Sequence, residues 1–298
     1  MRILLRGGGN FLGINIAQHL LSLDKGHQVI ILDEDLKETQ EIFEEEKRVI
    51  LWEDERENKK VVENFLKNVD AVINFPSGKE EKEITSGKVL YESPYIQGKK
   101  ILQFSSYRVY GIPRRLPVHE EEVPRPISQE GLAELIGEDI ARFYAQKVPL
   151  PLLILRTSEI YGPYIPENTL MGKILWKIFR EEPVEVWKNG EWMMDLLFVQ
   201  DFVKGVEKAL EKVDQHHGEV IHLSTGRGVP LKRVINSLME ISEREERILR
   251  FTEALPSWGV EFILSSAKSK ILLNWSPQFD LDTGLKITYN WMNQVYQG

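Results

Sequence analysis

The chain has 298 residues, in which 38 Lys and Arg face 46 Asp and Glu, a formal net charge of −8. At roughly 150 residues per domain two lobes are expected, and so acidic a chain is repelled by nucleic acid and by anionic membrane surfaces. Hydrophobic residues make up 42% and cysteine is absent, which excludes global disorder, disulfides, thiolate catalysis and iron–sulfur clusters and implies a reducing, cytoplasmic setting.

The opening Met1-Arg-Ile-Leu-Leu5 reads as a strand and not as a signal peptide, and no later apolar run approaches the roughly 18 residues of a membrane span. Ile3 to Leu5 is a first strand, and Phe11 to Leu23 a helix with Leu12, Ile16 and Leu20 on one face. Val29 to Leu32 is a second strand, followed by a charged helix from about Asp35. Residues 33–57 hold twelve acids against four bases, the pattern of a solvated helix face and loop. Val49 to Trp52, Ala71 to Asn74, Ile101 to Ser105 and Leu152 to Arg156 continue the strands. Short apolar runs alternating with helical patterns make a parallel βαβ sheet. Beyond the turn-rich Tyr161-Gly-Pro-Tyr-Ile-Pro166 come helices at Leu170 to Arg180, after Asp201, after Pro230 and from Leu281, with a strand at Val220 to Leu223.

The sharpest local signal follows the first strand: Arg6-Gly7-Gly8-Gly9-Asn10-Phe11-Leu12-Gly13. Glycines between strand and helix let the backbone approach a diphosphate, whose charge meets the helix N-terminus. Asp33 closes the second strand twenty residues after Gly13, where a carboxylate accepts both hydroxyls of an adenosine ribose. With Glu34 and Asp35 beside it a 2′-phosphate is repelled, so NAD is expected over NADP.

From these residues onward the chain resembles the extended short-chain dehydrogenase/reductases, the nucleotide-sugar epimerase/dehydratase family. Their Thr-Gly-x-x-Gly-x-x-Gly looks like Arg6 to Gly13, and their Gly-Asp-x-Arg-Asp like Glu53-Asp54-Glu55-Arg56-Glu57. Their fourth-strand motif looks like Asn74-Phe75-Pro76-Ser77. Ser105-Ser106-Tyr107-Arg108-Val109-Tyr110-Gly111 and Arg156-Thr-Ser-Glu159-Ile-Tyr161-Gly-Pro163 follow in the family's order. So do Phe198-Val-Gln-Asp201-Phe-Val and Trp275-Ser-Pro277. The resemblance implies an α/β fold: a doubly wound parallel sheet (Rossmann) with a smaller α/β substrate domain. Residues 1–160 would form the NAD-binding lobe with 193–226 returning to it, and 161–192 and 227–298 mainly the substrate lobe. It also implies that Gly7, Gly9, Asn10, Phe11, Leu12, Gly13, Asp33 and Asp54 bind the cofactor. Asp54 would face the adenine amino group, and Ser106 would sit by the reacting carbon.

The chain departs from the family where the chemistry is done. A tyrosine acid/base and a lysine four residues on are required by the family mechanism, the lysine lowering the phenol's pKa. Aligned on that helix, Glu130 stands at the tyrosine and Glu134 at the lysine. With Glu138 they share one helical face, read as a mildly repulsive exposed acidic stripe; the rival reading is a buried Glu130 with a raised pKa as acid/base. The helix's apolar face is expected at Leu132, Leu135, Ile136 and Phe143. Tyr95-Ile-Gln-Gly-Lys99 repeats the catalytic spacing but belongs to a loop, and Tyr107 or Tyr110 offers a substitute phenol. Asn10 stands at the middle glycine, where its side chain crowds the diphosphate. Ile84 replaces a family asparagine, Met194 stands where one substrate-binding arginine is expected, and a second is missing near Pro256-Ser257-Trp258-Gly259. His216, His217 and His222 read as ordinary loop and strand residues, with no metal site, and Trp187, Trp192, Met193 and Met194 as packing of the small domain, with the lining of an apolar pocket as the alternative.

Two functions follow. The first is an NAD-dependent epimerase/dehydratase-like enzyme acting by hydride transfer on a nucleotide sugar or related hydroxylated substrate, with Ser106, Glu130 and Glu134 as catalytic candidates. The second is an inactive NAD-binding or regulatory protein that keeps the fold. A small-molecule partner is expected, with no nucleic acid or membrane, and a homodimer is the assembly to test.

Overall fold

The computed structural model describes residues 1–55, 57–243, 248–254 and 259–296. Its strands are β1 (Arg2–Arg6), β2 (Gln28–Asp33), β3 (Val49–Glu53), β4 (Ala71–Asn74), β5 (Lys100–Ser106), β6 (Leu152–Thr157), β7 (Glu159–Tyr161), β8 (Val184–Val186), β9 (Met193–Met194), β10 (Leu196–Phe198), β11 (Val220–Leu223), β12 (Val229–Pro230) and β13 (Leu249–Phe251). The helices are α1 (Phe11–Ser22), α2 (Lys37–Phe43), α3 (Lys59–Leu66), α4 (Glu80–Tyr91), α5 (Gln129–Ala145), α6 (Leu170–Phe179), α7 (Val199–Lys212), α8 (Leu231–Ser242), α9 (Ala267–Leu272) and α10 (Leu281–Tyr296).

Seven strands form one sheet in the order β11-β6-β5-β4-β1-β2-β3, and every neighbouring pair is parallel. Alternation along β1 shows why both faces are covered. Ile3 and Leu5 join the cluster that holds Phe11, Ile14 and Phe202 of α1 and α7. Leu4 joins Val62, Leu66, Leu90 and Ala141 of α3, α4 and α5 on the other face. A third cluster, Val109, Tyr110, Val118, Phe262 and Leu264, lies beyond the end of β5.

Chain order sets the position of the site. The chain runs outward through β1, β2 and β3, then returns to fill the other side with β4, β5 and β6. Strand order therefore reverses between β1 and β4, and ligands of open α/β sheets bind in the crevice beyond the carboxyl ends at such a point. The pairs β10–β7, β12–β9 and β13–β8 lie outside the main sheet. Among the described residues, no helix is long and apolar enough to cross a membrane.

Candidate active site

At the end of β1 the glycine loop is as tight as the sequence suggests. Gly7 takes φ 79°, a conformation costly for residues with a Cβ. A Cβ on Gly13 would lie 2.1 Å from Gly8 O, and one on Gly9 2.4 Å from Asp35 O. The loop is closed on β2: Gly9 N–H donates to Asp33 Oδ2 at 2.8 Å, and Gly7 N–H to Leu32 O at 2.7 Å. Asp54, just past β3, donates its N–H to Asp33 O at 3.0 Å, so the two acids share one edge. The Asp54 carboxylate accepts from Asn58 Nδ2 and from Glu55 N–H. Arg56 lies outside the described residues.

Asn10 differs from expectation. Its φ of −140° is extended, so no left-handed backbone is needed here. Its side chain folds back as the N-cap of α1, accepting from Leu12 N–H at 3.0 Å and Gly13 N–H at 3.1 Å and donating to Gly7 O at 2.7 Å. A helix start leaves four donors unpaired. Asn10 takes two of them, and a diphosphate would meet the other two, on Asn10 and Phe11.

The acid stripe of α5 is corrected by the structure. Ser128 caps the helix by accepting from Gly131 N–H at 3.1 Å. Gly131, Ala133, Glu134, Gly137, Glu138 and Ala141 are its buried residues, whereas Leu132 and Phe143 are exposed. Of the three acids only Glu130 is exposed. The buried acid is therefore Glu134 and not Glu130. Small residues let the helix sit close: a Cβ on Gly131 would lie 2.5 Å from Arg108 O.

Ser106, the last residue of β5, donates its hydroxyl to Glu134 Oε2 at 2.6 Å and accepts Arg108 N–H at 3.2 Å. Burial pushes the Glu134 carboxyl up to about 7, against the opposing pull of Arg108 and of the Ser106 hydrogen bond. Burial would push Glu138 up as well, but the Arg156 guanidinium donates to both its oxygens, at 2.8 and 2.6 Å, and Arg142 adds a third donor. Those cations hold Glu138 below the usual carboxylate range. Arg156 continues to Tyr110 Oη at 2.7 Å, and Tyr110 meets His222 Nε2 at 2.6 Å. His222 and Tyr110 are thus absorbed in a buried polar chain.

Tyr107 hydroxyl donates to Glu159 Oε2 at 3.2 Å, and Arg108 NH2 lies 3.6 Å from the same oxygen. Burial raises the Tyr107 phenol further above its ordinary value, with Glu159 acting in the same direction. It therefore stays protonated, a hydrogen-bond donor to Glu159. Tyr95 and Lys99 precede β5, and Lys99 Nζ donates to Val69 O at 2.7 Å ahead of β4. They sit at the opposite end of β5 from Ser106.

A cleft of about 530 Å³ opens beside this cluster, lined among others by Tyr107, Arg108, Glu130, Lys173, Trp192 and Phe262. Tyr107 and Phe262 rings meet at 4.5 Å between centroids. Met194 is buried and paired with Val229, and among the described residues that line the cleft the cations are Arg108 and Lys173. Sequence reasoning passed over both. The legible signal was Arg108, an arginine two residues past Ser106 in a motif otherwise matched to the family. The 256–259 segment lies outside the described residues except for Gly259.

Compared with known proteins, residues 3–224 match the model of the NAD dependent epimerase/dehydratase family. An uncharacterised UDP-glucose epimerase of Bacillus subtilis is 24% identical over 323 residues, covering 100% of both chains. Among solved structures, a dTDP-glucose 4,6-dehydratase from Bacillus anthracis in complex with NAD superposes with a TM-score of 0.89 at 20% identity, over 100% of this chain and 98% of that one. A UDP-glucuronic acid 4-epimerase from Bacillus cereus, in complex with UDP-glucuronic acid and NAD, gives 0.88 at 23% identity, over 99% and 100%.

Proposed function

The chain belongs to the NAD dependent epimerase/dehydratase family, and on that premise we propose that it binds NAD and transiently oxidises a carbinol of a nucleotide sugar, with Ser106 and Glu134 as its acid/base pair. The observation that carries this reading is the buried Ser106–Glu134 hydrogen bond of 2.6 Å at the sheet edge beside the dinucleotide crevice.

The site residues fit a dinucleotide: the glycine loop leaves no room for side chains, and Asp33 is held at the end of β2 by Gly9. Gly7, Gly9, Asn10, Phe11, Leu12 and Gly13 would hold the diphosphate, with Asp33 on the adenosine ribose and Asp54 at the adenine. Bound NAD supplies the acceptor for the hydrogen that leaves the carbinol carbon with its electron pair. Ser106 Oγ takes the carbinol proton as its own proton passes to the Glu134 carboxylate, and the reverse transfer returns it. A carboxyl near 7 suits both directions at neutral pH. Arg108 and Lys173 supply the positive charge for the diphosphate of the substrate, and the Tyr107–Phe262 surface supplies an apolar wall. Glu130, exposed at the mouth, has a place in the cleft lining and no partner role with Ser106.

Two measurements test this. Protein purified, denatured and filtered should release NAD, read by ultraviolet spectrum and mass spectrometry. With UDP-glucose or UDP-glucuronic acid as substrate, Ser106→Ala should lower turnover by about 10²-fold or more. A Ser106→Ala protein as active as its parent would place the chemistry elsewhere. Release of NAD with no turnover of any nucleotide sugar by the parent would favour the binding-only reading.

A further inference from the structure

We propose that this site is selective for the oxidised cofactor, holding NAD⁺ more tightly than NADH, because the carboxyl bonded to Ser106 stands at the nicotinamide end of the crevice. The inference rests on the dinucleotide reading above. Asp33 fixes the adenosine end beyond β2, and the glycine loop fixes the diphosphate beyond β1. From β2 to β5 the sheet order gives three strand spacings, about 14 Å, a span that an extended dinucleotide covers. The nicotinamide end therefore runs toward β4 and β5, where Ser106 and Glu134 lie.

The two redox forms of the cofactor differ at that end by one positive charge on the ring. A fixed negative charge there favours the oxidised form, and a fixed positive charge the reduced one. The charged groups facing Glu134 cancel one another, so the site carries the charge of Glu134. Glu130 lies one turn earlier on α5 and is exposed. Arg108, from the turn after β5, opposes it, but Glu159 of β7 lies 3.6 Å from that guanidinium and offsets it. Tyr107 is a neutral phenol. Glu138, one turn later, is already matched by Arg156 and Arg142. What remains is Glu134 itself, whose opposing cation, Arg108, is shared with Glu159. Its carboxyl is pushed up to about 7 by burial, so the preference should grow with pH as the group ionises. A ring cation draws the proton off, and NAD⁺ binding near neutrality should release protons.

Calorimetric titration with NAD⁺, NADH and ADP-ribose tests the idea on parent and Glu134→Gln. ADP-ribose lacks the nicotinamide and reads the Asp33 end alone. In the parent, NAD⁺ should bind about tenfold tighter than NADH at about pH 8.5 and only about twofold tighter at about pH 6. Glu134→Gln should flatten that pH dependence while binding ADP-ribose as the parent does. An NAD⁺ to NADH affinity ratio that does not change with pH in the parent overturns the proposal, whatever the fate of the variant. A ratio that still rises with pH in a folded Glu134→Gln protein overturns it too. Failure of ADP-ribose to bind the parent instead removes the dinucleotide reading, and the proposal with it.

Discussion

Glu134 and Glu138 stand one helical turn apart, both buried, and their carboxyls are held in opposite protonation ranges by their neighbours. For Glu134 the folded-state pKa lies above its unfolded value, from an ordinary 4.5 to about 7. Its contribution is therefore most favourable below the unfolded value. It turns into a penalty as pH rises from about 4.5 to about 7, reaching about 3 kcal/mol and then staying constant. Glu134→Gln removes that penalty, so the stability difference between variant and parent should climb with pH through this window. Denaturant titrations across it measure the climb, and a flat difference would refute the assignment. Glu138 has the opposite sign: its depressed pKa stabilises the fold above the ordinary carboxylate range and is lost as pH falls through the folded value. Removing the buried one of its two cations with Arg156→Met leaves the carboxylate on Arg142 alone, and unfolding free energy should drop by about 3–5 kcal/mol. A loss below about 1 kcal/mol, within the range of surface pairs, would mean that the pair is not buried as described.

Elements were unequally legible. Strands β1, β2, β4, β5 and β6 could be read because a parallel strand covered on both faces is a short unbroken apolar run, as in Val29 to Leu32. Short strands were expected between the Leu170 to Arg180 helix and Asp201, and β10 is an apolar run, Leu196 to Phe198, but the two- and three-residue strands β7, β8, β9, β12 and β13 are fixed by their partners. Helix α5 was misread for a physical reason. Its inward face is made of glycine, alanine and two acids, because it lies against backbone and carries polar work, so the search for large apolar residues picked Leu132 and Phe143 on the outside. Asn10 was misread similarly: its amide serves the helix it begins, which residue size alone does not reveal. The close approach of α5 makes a prediction. Gly131→Ala brings a Cβ to within 2.5 Å of the Arg108 carbonyl, and moving the helix start to relieve it should cost about 1–3 kcal/mol. At exposed Leu132 the change to Ala should stay within about 0.5 kcal/mol. Chemical denaturation of the two variants side by side decides it, and equal losses would show that the helix has slack.

At the scale of the whole molecule, the crevice proposed for the cofactor runs along the carboxyl ends of the strands, its adenosine half at β1, β2 and β3, whereas the walls of the cleft come from segments far apart in sequence. Asp195 joins several of these. Buried just before β10, it accepts from Thr225 N–H at 3.0 Å and Thr225 Oγ1 at 2.6 Å with one oxygen. The other accepts from Leu264 N–H at 3.1 Å and Gly226 N–H at 3.3 Å. Its carbonyl receives Glu159 N–H at 3.2 Å, and Leu264 in turn bridges to Val118 beside Tyr110. One residue thus ties the loop after β11 and the Phe262–Leu264 wall, through its carboxylate, to the strand that carries Glu159, through its carbonyl. Asp195→Asn is nearly isosteric, yet it turns one acceptor into a donor facing donors. Leaving such groups unpaired in a buried site costs about 1–3 kcal/mol each. The variant should lose at least about 2 kcal/mol of stability and, on the proposed function, bind a nucleotide sugar such as UDP-glucose about tenfold more weakly. Its affinity for ADP-ribose should not change, since Asp195 touches nothing at the ends of β1 to β3. Thermal denaturation and paired titrations measure all three quantities. Parallel loss of both ligands would show that crevice and cleft are one cooperative site, and the division of labour argued from Asp195 would fail.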